Sequence, residues 1–162
     1  QVGGGPAGDG GNGAGPGRGG GGTDGNGAGV CEGGYPDAFL LTGGGADGTP
    51  LMEAEGVLLS TVEDGGVYLV LGLRAARLPE AWSVVIRAEY QGELIALGRF
   101  DDPEAICAND GDFVVGDLRI SVDPFFDPDE FVGQEVQVLA NMEIPQGGES
   151  ILTAETTIIL TY

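Results

Sequence analysis

The chain has 162 residues and a formal charge of −20, from 26 acidic side chains against six arginines, with no lysine and no histidine. Such a surface repels nucleic acid and anionic lipid, so neither is an expected partner. The missing histidine and lysine exclude Ser-His-Asp, Cys-His and Schiff-base mechanisms. Carboxylate pairs such as Asp101/Asp102 or Asp127/Asp129, the pattern of glycoside hydrolysis, arise by chance among so many acids. The chain therefore reads as a non-enzyme with no cofactor apart from a candidate calcium ion.

Residues 1–30 hold 16 of the 33 glycines. From residue 3 to 29 there is no valine, leucine, isoleucine or aromatic side chain. Burial there cannot offset chain entropy, so the segment is expected to be an extended arm rather than part of a domain. Sorted by threes, Gly3, Pro6, Asp9, Asn12, Arg18 and Asp24 fall in one class, with every charge of the arm among them. In a polyproline-II-type helix, with three residues per turn, that class forms one polar edge and leaves two edges of nearly bare backbone. Such a helix has no internal hydrogen bonds, so its amides need partners in neighbouring segments. At about 3.1 Å per residue it spans about 80 Å. The alternative is a flexible spacer, although the arm lacks the serine common in such linkers. It is not a phosphate loop, since GK[ST] and a strand–helix context are absent.

The chain opens on Gln1 and shows no apolar signal segment or membrane span, which reads as a processed, secreted or cell-surface protein without membrane insertion. Cys31 and Cys107 are the two cysteines. Without CxxC or a Cys/His cluster they offer no zinc or redox site and are expected to form a disulfide, the alternative being two buried thiols. The bridge closes a long loop and stabilises by roughly 4 kcal/mol on the chain-entropy estimate.

From residue 51 the dominant period is two. "GVLLSTV" (56–62) is the first strand. In "GVYLVLGLR", Val67, Leu69, Leu71 and Leu73 share a face. In "SVVIRAEY", Val84, Ile86, Ala88 and Tyr90 do so, and Trp82, at the start of this strand, reads as core. "ELIALGRF" (93–100) follows, then "GDLRISV" with Leu118, Ile120 and Val122. "EVQVLANMEI" aligns Val136, Val138, Ala140, Met142 and Ile144, and "SILTAETTIILTY" closes the chain. These are half-buried antiparallel strands. Asp64-Gly65-Gly66, Gln91-Gly92 and Gly147-Gly148 supply turns. "DDPEAIC" and "FDPDEFVG" predict single helical turns capped by Asp102 and Asp127. Seven or eight strands in residues 31–162 predict an all-β domain, an antiparallel β-sandwich of Ig-like or jelly-roll type.

Two loop features carry candidate sites. Asp123, Asp127, Asp129 and Glu130 offer several oxygens of the kind calcium takes, although Asp in turns is also explained by Asx turns. Phe125 and Phe126 in the same loop are candidate ligand contacts. The expected function is a structural one: a secreted subunit that assembles with copies of itself into an extracellular filament or matrix through the arm. The alternative is an adhesin or carbohydrate-binding sandwich on a glycine-rich stalk.

Overall fold

The computed structural model describes residues 30–145 and 150–162. The arm positions Gly3, Pro6, Asp9, Asn12, Arg18 and Asp24, and the turn at Gly147-Gly148, lie outside the described residues. The strands are β1 (Glu32–Gly33), β2 (Phe39–Gly43), β3 (Glu55–Thr61), β4 (Val67–Ala75), β5 (Arg77–Leu78) and β6 (Ser83–Tyr90). Then come β7 (Glu93–Asp101), β8 (Ile106–Cys107), β9 (Phe113–Val122), β10 (Glu135–Ile144) and β11 (Ser150–Thr161).

The alternation read from the sequence sets which face each strand buries. Leu69, Leu71 and Leu73 of β4, Val84, Ile86 and Ala88 of β6, and Leu118, Ile120 and Val122 of β9 all point into one core. So do Val136, Val138, Ala140, Met142 and Ile144 of β10, while Tyr90 packs against the core only partly buried. Each full aliphatic burial stabilises by about 1.5–3 kcal/mol. Trp82 is core, as expected.

The all-β expectation holds, but the sheet closes. Its order is β4-β3-β11-β10-β6-β7-β9, and β9 returns to β4, which makes a seven-stranded barrel with extra strands in place of two separate sandwich sheets. β11 and β3 run parallel, so the ring is not wholly antiparallel. The corners explain the difference. β4 pairs with β3 through Val67–Leu69 and then with β2 through Leu71–Ala75. β9 likewise pairs with β8 at Phe113 and Val114, and with β7 at Ser121 and Val122. Between these segments the β4–β9 register slips, between Leu71 and Leu73. Asp117, at φ 53°, lies within the slip. Such a bulge bends a strand and raises its twist, so one strand can serve two partners around a corner. Gly72 permits it: a Cβ there would lie 2.4 Å from the Val115 carbonyl oxygen and 2.5 Å from Thr42 Oγ1.

The registers define two ends of the barrel. Cys107, Ala75, Ser83, Asp101 and Ile144 gather at one, termed the arm end, with Cys31 beside them. Val67, Tyr90, Val122, Glu135 and the C-terminal residues gather at the far end. Gln91-Gly92 forms the expected tight hairpin, both residues at positive φ. The turn predicted at Asp127 is present as a 3-10 turn, Pro128–Glu130, with Asp127 accepting a hydrogen bond from the Asp129 amide. Phe131 follows it and plugs the far end, its ring 6.1 Å from that of Tyr90. The turn predicted at Asp102 does not form. Asp102 Oδ1 instead accepts from the Trp82 amide at 2.8 Å, tying β7 to the start of β6.

Two substitutions test this packing by urea denaturation. Phe131→Ala is expected to cost about 3–5 kcal/mol, because the plug leaves a cavity. Thr42 is fully buried and its hydroxyl has no hydrogen-bond partner among the described residues. Thr42→Val is therefore expected to stabilise by about 1 kcal/mol, and destabilisation would contradict the reading of that hydroxyl as orphaned.

Candidate functional site at the arm root

The segment that follows the arm is gripped at the arm end of the barrel. Cys31 and Cys107 are bridged, with their Cα atoms 5.7 Å apart. Cys107 belongs to β8, which is paired to β9, so the bridge fastens the arm root to the barrel wall. Directly after Cys31, β1 pairs in parallel with β5, Glu32 beside Arg77 and Gly33 beside Leu78. The Gly34 amide extends that pairing to the Leu78 carbonyl at 3.1 Å, and the Arg77 guanidinium meets the Glu32 carboxylate at 3.1 Å. The root is thus held by two short strands outside the ring, β8 and β5.

A third tie lies beneath them. Arg74, near the end of β4, has a largely buried side chain. Its Nε donates to Asp112 Oδ2 at 2.8 Å, its Nη1 to the Gly48 carbonyl at 3.3 Å, and its Nη2 meets Asp110. Asp110 and Asp112 sit in the turn that follows Cys107, closed by the Ala108 amide on the Asp112 carbonyl at 2.8 Å. One planar guanidinium therefore fixes the disulfide-bearing turn and the Gly48 loop to the same strand, a role its rigid fork of donors suits. Sequence reasoning missed Arg74. The signal was a single cation on the otherwise apolar strand "VYLVLGLRA".

The acidic loop is at the far end. Asp123 Oδ1 accepts from the Phe125 amide and Asp127 Oδ1 from the Asp129 amide, both at 3.0 Å, while Asp129 accepts from the Tyr162 hydroxyl. Three of the four candidate calcium ligands thus make turn or strand-end contacts, and Glu130 is exposed. Among the described residues no group of three or more Asp, Glu, Cys or His side chains is placed to hold a metal ion. Phe125 is 95% exposed, whereas Phe126 packs against the core.

Comparison with protein-family models, with curated proteins and with solved structures finds no match. Among the described residues no helix is long and apolar enough to cross a membrane.

Three outcomes are expected. Intact mass should show no alkylatable thiol before reduction, and reduction should cost up to roughly 4 kcal/mol of stability. Arg74→Met should lower stability by about 1–3 kcal/mol through its lost charged hydrogen bonds. The Tyr162 phenol is held above its ordinary pKa, chiefly by donating to Asp129, then by partial desolvation and the nearby carboxylates. The protonated phenol is the favoured form, so this contact is complete below the ordinary tyrosine value and is lost as pH rises through the raised one. One of the four tyrosines should titrate late by phenolate absorbance, and Asp129→Asn should remove the delay.

Proposed function

We propose that the chain is a secreted structural subunit, joined to copies of itself in an extracellular filament or matrix by the glycine-rich arm. The observation that carries this reading is the arm root. A disulfide, a strand pair and the Arg74 cluster converge where the arm meets the barrel. A tether that transmits load needs such a fastening, and a passive spacer does not. Deleting residues 1–29 is expected to leave a folded monomer that no longer polymerises. Intact protein that stays monomeric by light scattering, at high concentration and in high salt, would contradict the proposal.

Charge sets how assembly should respond to salt. The arm holds only Asp9, Arg18 and Asp24, which leaves −19 on the rest of the chain. Copies packed side by side repel, and screening shortens that repulsion from about 30 Å at 0.01 M salt to about 3 Å at 1 M. Polymerisation should strengthen with NaCl. CaCl₂ at matched ionic strength should act equally if screening alone operates, and more strongly if acidic loops such as Asp123–Glu130 bind the ion. Weakening by salt would overturn the charge argument.

A second reading, an adhesin or carbohydrate-binding module, is favoured by Phe125 alone, a large apolar side chain left in solvent. Glycan binding that is lost in Phe125→Ala would support it.

A further inference from the structure

Among the described residues, the change of partner along β4 leaves a strand edge open. β3 is paired to β11 along Glu55–Leu58, but on its other edge β4 reaches only Leu59–Thr61 before turning to β2. Between β2 and β3 lies a mostly apolar cleft of about 630 Å³. Gly43, Gly44 and Gly45 form one wall, Val57 and Leu58 the other, with Val70 between them. Leu58 is 65% exposed. An unpaired edge beside exposed apolar surface is a template for an added strand.

We propose that this cleft receives the glycine-rich arm of a second copy of the chain, whose backbone pairs with the open edge of β3. The proposal rests on the assembly reading above and names the surface that the arm would use. Three observations select the occupant. First, one wall is three glycines without side chains: a Cβ on Gly44 would come within 2.4 Å of Val70 Cγ1, while one on Gly43 would meet nothing within 4 Å. Such a wall offers no row of pockets for alternate side chains, so it suits a partner held by its backbone. Second, strands from the body of another copy would bring most of that copy's −19 with them, whereas the arm carries a net charge of only −1. Third, the lengths fit. The arm spans about 80 Å if extended at about 3.1 Å per residue. The barrel's longer strands, at about 3.3 Å per residue, are roughly 30–40 Å long. The arm leaves from the arm end, and β3 runs down to the far end beside Val67. With copies stacked end to end, an arm leaving one copy meets the cleft of the next.

The test uses the full chain. Leu58 is replaced by the photoreactive p-benzoylphenylalanine, and labelled and unlabelled copies are mixed under polymerising conditions and irradiated. Crosslinks are expected within residues 3–29 of a different copy, and digestion after Arg18 separates the two halves of the arm. Leu58→Asp should raise the concentration needed to polymerise by about tenfold or more, the effect of losing one apolar contact, with the melting temperature unchanged. Leu97→Asp, at another exposed leucine, on β7, should not. Polymers whose crosslinks map to the subunit's own arm or to a barrel surface would overturn the cleft as the site and leave the assembly reading standing. Polymers indifferent to Leu58→Asp would do the same. A chain that never polymerises would remove both.

Discussion

The structure depends on how closely strands can approach at Gly72. Three backbones meet there, those of β2, β4 and β9, and neither the Val115 carbonyl nor the Thr42 hydroxyl leaves room for a side chain. The register slip at that point turns the paired ribbon of β4 and β9. Below it β4 holds β3 and β9 holds β7, which closes the ring. Above it β4 holds β2 and β9 holds β8, which lie outside the ring.

Both functional features descend from that switch. β8 exists because the upper edge of β9 is free to take it, and β8 carries Cys107, where the arm is fastened. The cleft exists because β4 leaves β3 at the same corner. A single bulge thus provides an anchor for the arm at one end of the molecule and an open edge lower on the same wall. On the assembly reading these are the donor and acceptor of one connection. The acidic surface then bears on which segment can make it, because the arm carries a net charge of only −1 and the rest of the chain −19.

The seven long strands were legible because each buries one face, and period two survives in any all-β packing. β6 and β10 run over the same residues as their apolar patterns, Ser83–Tyr90 and Glu135–Ile144. The disulfide was legible by elimination of other roles for two cysteines. Closure was not legible, because the same alternation serves a barrel or a sandwich, and only hydrogen bonds at the corners distinguish them. β1, β5 and β8 have two residues each, too few for any period. β2, "FLLTG", places three apolar residues in a row and so hides its alternation. Asp102 looked like a cap because Asp-Pro commonly opens a helical turn, but its carboxylate is taken by the Trp82 amide just before β6. The Arg74 cluster joins residues far apart in sequence, and no local pattern announces it.

On the assembly reading, the arm of one subunit crosses to the next and lies along β3. Electron cryomicroscopy of the assembled chain addresses it most directly. Main-chain density is expected to run unbroken from Cys31 of one subunit into the cleft between β2 and β3 of its neighbour. Polymers in which that cleft is empty, or in which the density before Cys31 folds back onto its own barrel, would contradict it.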